Sequence, residues 1–247
     1  VRIALIADIH ANREAFAAVL ERVASRGIDR IALLGDIVGY GADPEWCCER
    51  AMQLVADGAI AIMGNHDAAI PGTGDEDMNR TAREAIRWTR EKLSPSQRRF
   101  LESLPMAHRE GDLLLVHASA HHPRMWEYVT DSRAAERCIN AAIAKITCVG
   151  HTHVPHLWRL TSQRTATGHA PERGVELPLA QSQLWLAVIG SAGQPRDGKA
   201  GAAFAILDLH RRTISFERVD YDHFGAARKV REAGLPASLS ERLLRAR

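Results

Sequence analysis

Five short stretches of this sequence place imidazoles, carboxylates and one amide where apolar runs stop. Asp8 and His10 follow "RIALIA", and Asp36 follows "RIALLG". Asn65, His66 and Asp67 follow "AIAIMG", His117 follows "DLLLV", and His151 and His153 follow "KITCVG". A polar group at the end of a buried strand is costly to desolvate unless it finds a partner. Singly, each stretch has a plainer explanation. An Asp after a strand caps a helix, the Asn and Asp of "GNHD" bond their own backbone, and a lone His is satisfied in a core. Jointly that explanation fails, because five of the chain's 12 histidines stand at strand ends. Imidazole and carboxylate ligands without thiolates suit Mn, Fe, Co, Ni or Zn ions. With His66 set aside, Asp8, His10, Asp36, Asn65, His117, His151 and His153 are too many for one ordinary ion. Two ions sharing Asp36 would use four protein ligands each and leave positions open for water and substrate. Two divalent ions about 3.5–4 Å apart form an arrangement suited to phosphoester hydrolysis.

The elements that must position these residues are readable from periodicity. Near-continuous apolar runs at 2–7, 30–35, 59–64, 112–116 and 145–150 read as buried strands. Helical patterns lie between them. Phe16, Val19, Leu20 and Val23 repeat at spacings of three and four within 12–26, and 44–57 opens on Pro44. Residues 78–93 and 95–104 read as two further helices, with Ser94 and Pro95 opening the second; 132–144 follows Asp131 or Ser132 as its cap. Such alternation predicts an α/β fold with substantially parallel pairing. From about residue 156 the pattern changes. "HLWRL", "LWLAVIG", "GAAFAILDL" and "TISFERVD" read as strands with no long helix between them, which predicts a second, more antiparallel sheet. Residues 161–182 read as a loop or loose hairpin, and 222–247 as two helical pieces broken near Gly234 and Pro236. With no repeat and no clear linker, one domain is expected over 1–247: a motif half, 1–155, and a second-sheet half with C-terminal helices, 156–247. In open α/β sheets ligands gather outside the carboxyl ends of the strands. The five clusters are therefore expected to converge.

Composition narrows the function classes. The chain has 247 residues, 46% apolar and 25% charged, with a formal net charge of +2. That is ordinary for a globular protein and too small a charge to argue for a polyanion partner. The arginines are scattered along the chain, whereas duplex binding calls for a concentrated basic face, so no nucleic-acid surface is expected. No run of about 18 apolar residues occurs, so neither a spanning helix nor a membrane partner is expected. Cys47, Cys48, Cys138 and Cys148 form no CxxC pair, and no leader pattern precedes the first strand. A reducing cytoplasm is the simplest setting. Oligomeric state is not legible.

The five blocks, "DIH" (8–10), "GD" (35–36), "GNHD" (64–67), "VH" (116–117) and "GHTH" (150–153), resemble in type and order those of the calcineurin-like metallophosphoesterases. "ADIHAN", "GDIVGYGADP", "WEYV" and "GSAGQPRDG" further resemble the small bacterial and archaeal branch of that superfamily. The resemblance implies a four-layer αββα sandwich of two mixed β-sheets flanked by helices. It implies that Asp8, His10, Asp36 and His153 hold one metal and Asp36, Asn65, His117 and His151 the other. The two divalent ions, manganese foremost, would carry a hydroxide between them as nucleophile. His66 would sit over the leaving group as proton donor, and Asp67 would hold the far nitrogen of the His66 ring. The expected activity is hydrolysis of phosphate mono- or diesters of small-molecule or nucleotide type.

Departures bear on substrate. The protein Ser/Thr phosphatase branch carries "GDxVDRG", where this chain has "GDIVGYG" with Tyr40 and no arginine. That argues against a phosphoprotein phosphatase. The related branch has "NPGS" where Val188, Ile189, Gly190 and Ser191 stand here, so a changed loop is expected. Arg196 in that loop is a candidate phosphate clamp. Asn12 is a candidate for either a helix cap or a phosphate contact. Tyr40 and Trp126 are candidates to stack on a nucleobase, while His121 and His122 read as a solvated loop. Two alternatives stand beside the enzyme reading: a Ser/Thr phosphatase of the same superfamily, and a non-catalytic scaffold like the retromer subunit that shares the fold. The scaffold would be expected to have lost ligands or the His, and none is missing.

Overall fold

The structure, a computed structural model, describes residues 1–72 and 78–247. The aliphatic run at the start forms β1 (Arg2–Ile6). Asn12 then starts α1 (Arg13–Ala24) by accepting the Ala15 amide on its side chain. β2 (Arg30–Leu33), α2 (Pro44–Ala56) and the two-residue β3 (Ile60–Ala61) follow, and β3 runs into a single helical turn, α3 (Asn65–Ala68). Next come α4 (Arg80–Lys92) and α5 (Pro95–Ser103), the latter opened by a reciprocal Ser94–Gln97 capping box. β4 (Ala107–Glu110) and β5 (Leu113–Val116) precede α6 (Ser132–Ala142), where Asp131 rather than Ser132 is the cap. The remaining strands are β6 (Ile146–Val149), β7 (His156–Leu160), β8 (Ala166–His169), β9 (Glu176–Pro178), β10 (Leu184–Val188), β11 (Ala202–Asp208) and β12 (Thr213–Val219). The chain closes with α7 (His223–Glu232) and α8 (Ala237–Arg245).

Two mixed six-stranded sheets result, in the orders β3-β2-β1-β11-β12-β9 and β4-β5-β6-β10-β7-β8. The late strands do not make the separate sheet that their clustering in sequence predicts. β11 pairs antiparallel with β1, whereas β10 pairs parallel with β6. Apolar periodicity marks a strand as buried but does not say which open edge it joins. The stretch 161–182 is likewise no plain loop: β8 hairpins back onto β7 and β9 lines the edge of the other sheet against β12. Both are short edge strands with mostly exposed, polar residues, so the apolar signal is missing.

Alternation along each strand builds the layers. Ile3 and Leu5 of β1 point to the second sheet, meeting Leu115, Ile146 and Leu157. Ala4 and Ile6 point the other way, onto Phe16, Val19 and Val23 of α1. On the far side, Leu186 and Val188 of β10 meet Cys138 and Ile139 of α6. The order is therefore helix, sheet, sheet, helix. All four cysteines are free and buried. Among the described residues no helix is long and apolar enough to cross a membrane.

Candidate metal centre

β1, β2 and β3 run parallel in one sheet, and β5, β6 and β10 in the other. The polar clusters all follow carboxyl ends of these strands. Ligating atoms fall into three triplets, each with its members within 4.8 Å of one another: Asp8, His10 and His153; His10, Asp36 and His66; Asp36, His117 and His151. Asp36 stands in two of them. Its Oδ2 lies 3.6 Å from His10 Nε2 and 3.5 Å from His117 Nε2. Asp8 Oδ1 lies 3.4 Å from His153 Nε2, and Asn65 Oδ1 lies 3.2 Å from His117 Nε2. Distance alone does not separate His66 from the ligand set.

The backbone here is held away from its relaxed form. Asp8, His10, Asp36, His151 and His153 have φ between 49° and 63°. A left-handed L-residue costs about 1–2 kcal/mol, and several at one place persist only where neighbours over-determine them. The neighbours are visible. The His151 amide donates to the Asp8 carboxylate at 2.9 Å, and the His66 amide to Asp36 Oδ1 at 2.8 Å. The Asp8 carbonyl accepts from Ser191 Oγ at 2.8 Å and from the Gly193 amide at 2.9 Å. A Cβ on Gly64 would lie 2.1 Å from Asp36 Oδ1, so only glycine lets α3 close against that carboxylate.

Electrostatics leave most of the imidazoles ready to ligate. Burial pushes His66 down to about 4 and His151 to about 3, and drives His10 and His153 well below the ordinary range. All four are neutral near pH 7. For His117 burial also opposes charge, but the Asp36 and Asp8 carboxylates outweigh it and lift the ring to about 9. Burial would raise Asp36, yet His117 and His66 hold it well below the carboxylate range. Asp8 is pushed up to about 8 by burial, against the pull of His117. Carbonyl acceptors fix the orientation of two rings: His117 Nδ1 donates to Leu34 O at 2.7 Å and His153 Nδ1 to Gln194 O at 2.6 Å. A carbonyl cannot donate, so each ring turns its Nε2 inward, as metal-ligating histidines do. His10 Nδ1 and His151 Nε2 are buried with no hydrogen-bond partner, and His10 Nε2 faces His153 Nε2 at 3.1 Å. Inward-facing imidazole nitrogens around two carboxylates are a donor set that fits divalent ions.

The geometry corrects the role expected of Asp67 and narrows those open to Asn12 and Tyr40. Asp67 does not hold the His66 ring. Its Oδ1 accepts the Ile37 and Val38 amides at 3.0 and 3.3 Å, its Oδ2 accepts the Gly64 amide at 3.0 Å, and His66 Nδ1 stays unpartnered. Asn12 has no capacity left for phosphate. Its Oδ1 caps α1, and its Nδ2 donates to Gly193 O at 2.7 Å and to Tyr221 Oη at 3.2 Å. Tyr40 borders the cavity over the cluster but is only 6% exposed and packs its ring against those of His10 and His66, so little of its face is open to a base.

A cavity of about 370 Å³ opens over the cluster, walled by His66, Arg124, Trp126, Tyr128, His151 and Arg196 among others. Arg196 donates to Gln194 Oε1 at 3.1 Å and keeps its buried Nε unpartnered. His121 and His122 meet edge-on, with ring centroids 4.2 Å apart and planes at 70°, and neither lines this cavity. Sequence reasoning passed over Ser191 and Gln194, which clamp the 191–196 loop to Asp8 and His153, and Tyr128, whose ring stacks on His151 at 4.1 Å. The block "GSAGQPRDG" held the first two, but a small buried hydroxyl and amide carry no chemical signature of their own.

A family model described as a calcineurin-like phosphoesterase superfamily domain matches residues 1–212, stopping short of β12, α7 and α8. An uncharacterized protein of Methanocaldococcus jannaschii is 35% identical over 246 residues, covering 98% of this chain and 96% of its own. A crystal structure of a metallophosphoesterase from Sphaerobacter thermophilus superposes with a TM-score of 0.88 at 38% identity, covering all of both chains. A hypothetical protein from Pyrococcus horikoshii superposes with a TM-score of 0.80 at 21% identity, over 98% of this chain and 97% of its own, a likeness of fold.

Proposed function

The chain belongs to the calcineurin-like phosphoesterase superfamily, and from that premise we propose that it is a dinuclear metal-dependent hydrolase of small phosphate mono- or diesters, of small-molecule or nucleotide type. The observation that carries this reading is the convergence of seven side chains, Asp36 among them, into one buried cluster, with most of the imidazoles neutral and several ring nitrogens facing inward. Asp8, His10, Asp36 and His153 would hold one divalent ion, and Asp36, Asn65, His117 and His151 the other. Manganese is the first choice, with iron, zinc, nickel or cobalt as alternatives. When bound, such ions lower the pKa of water and offset charge on phosphoryl oxygens.

The remaining work falls to the chain. His66 donates a proton to the leaving oxygen; an anionic phosphoryl group beside it counters the burial that depresses its pKa. Arg196 offers its guanidinium at the cavity wall, a fork that matches phosphoryl oxygens. Trp126 and Tyr128 give the wall flat apolar faces, and about 370 Å³ suits a small ester. Four free buried thiols accord with a cytoplasmic setting, which is part of the same proposal.

Stripped protein reloaded with Mn²⁺ should carry close to two ions per chain by elemental analysis. It should hydrolyse p-nitrophenyl mono- or diesters and members of a nucleotide panel. One ion or none overturns the dinuclear centre, and no turnover of any ester overturns the enzyme reading.

A further inference from the structure

We propose that Tyr40 is the positioning residue for His66, and that through Tyr40 the C-terminal helices α7 and α8 form part of the active site. The kinetic consequence rests on the phosphoesterase reading above; the structural one does not.

His66 needs another anchor because Asp67 is spent on three backbone amides and His66 Nδ1 is buried without a partner. An imidazole with no such bond is free to turn about χ2 unless packing stops it. Three surfaces stop it here. A Cβ on Gly39 would lie 2.4 Å from His66 Nδ1, so the ring rests on bare backbone there. His10 meets it edge-on, with centroids 4.9 Å apart and planes at 83°. Tyr40 closes the third side at 4.3 Å and 59°. Tyr40 also lies 4.6 Å from the His10 ring, so one side chain touches both a proposed ligand and the proposed acid. Its φ of 62° shows that the chain adopts a costly conformation at this residue.

The C-terminal helices hold Tyr40 in turn. It belongs to an apolar cluster with Ala82 and Ala85 of α4, Ala227 and Val230 of α7, and Leu239 and Leu243 of α8. The guanidinium carbons of Arg196 and of Arg242, the latter on α8, lie 5.9 and 5.8 Å from the centre of its ring. Lys229 of α7 reaches Glu14 of α1 at 2.5 Å and Asp43, just before α2, at 3.0 Å. The segment carrying Gly39 and Tyr40 is thereby trapped between the catalytic side of the fold and the helix pair.

The test compares wild type, Tyr40→Phe, Tyr40→Leu and Arg242→Gln. Leucine keeps bulk and loses the flat face. In zinc-loaded protein with isotope-labelled histidine, the His66 ring signals should be sharp and shifted by the neighbouring ring in wild type and Tyr40→Phe. They should move and broaden in Tyr40→Leu. Unchanged His66 signals in Tyr40→Leu overturn the proposal. In Mn²⁺-loaded enzyme, Tyr40→Leu should lower kcat about 10- to 100-fold on phenyl phosphate, a poor leaving group, but no more than about threefold on p-nitrophenyl phosphate. KM and metal content should hold, Tyr40→Phe should stay within about twofold of wild type, and adding Tyr40→Leu to His66→Ala should cost nothing further. Equal losses on both esters, or additive losses with His66→Ala, overturn it. Should Tyr40→Leu fail to fold, Arg242→Gln carries the test, with a loss of about threefold or more on phenyl phosphate alone; no loss overturns the role of α8. If wild type cleaves neither ester, the phosphoesterase reading falls and the histidine spectra decide on Tyr40.

Discussion

His66 and Asp67 are neighbours in sequence with separable tasks. If His66 supplies a proton and no metal bond, His66→Ala should leave two ions bound and lower kcat by about 10²–10⁴-fold on esters with poor leaving groups. The loss should shrink with p-nitrophenolate, which departs without help. An equal loss on both would make His66 a substrate-positioning group, and a loss of metal would make it a ligand. Asp67 should behave differently. Asn in its place cannot satisfy the Ile37, Val38 and Gly64 amides together, and each stranded donor costs about 1–3 kcal/mol. Asp67→Asn should therefore lower the melting temperature by several degrees, and any loss of turnover should fall alike on good and poor leaving groups. A loss confined to poor leaving groups would restore Asp67 as the holder of the His66 ring.

Among the elements, α1 shows how a helix end can pass for a substrate contact. Asn12 follows the DxH block, so its place in the sequence allows either role. The structure spends its oxygen on the cap and its nitrogen on Gly193 and Tyr221. Asn12→Ala should cost about 1 kcal/mol for the cap and a similar amount for the buried cross-link. Thermal unfolding should register a drop of several degrees. KM should stay within about twofold, since no ligand contact goes with it; a KM rise without loss of stability would return Asn12 to the substrate. Helices α1, α2, α4, α5 and α6 were legible because their apolar spacing, caps and first-turn prolines are local signals. The one-turn α3 and the polar edge strands β4, β8 and β9 were not, because their conformation answers to partners distant in sequence.

Across the whole molecule, the candidate centre gathers side chains from strand ends of both sheets, so metal bound there would link the two halves of the sandwich. Bound metal should then act as a staple. Ions held at about 100 times their dissociation constant add about 2.7 kcal/mol per site. Chelation should lower the melting temperature by about 5–10 °C per ion, and Mn²⁺ should restore it. An unchanged melting curve after verified metal loss would mean that ligand loops from the two sheets are held without it. The sequence by itself determined which residues could ligate, that they stand at strand ends, and the α/β class, because residue type and apolar period are local properties. Only the tertiary structure decided that β11 and β12 complete the first sheet while β10 completes the second. It also decided that Asp67 serves backbone amides, and that Tyr40 lies between His66 and the C-terminal helices. Strand pairing, the competition of several donors for one carboxylate, and the packing of a ring against residues some 200 positions away all depend on which segments meet. Apolar periodicity is blind to that, because the energy of each contact belongs to the pair and not to either residue alone.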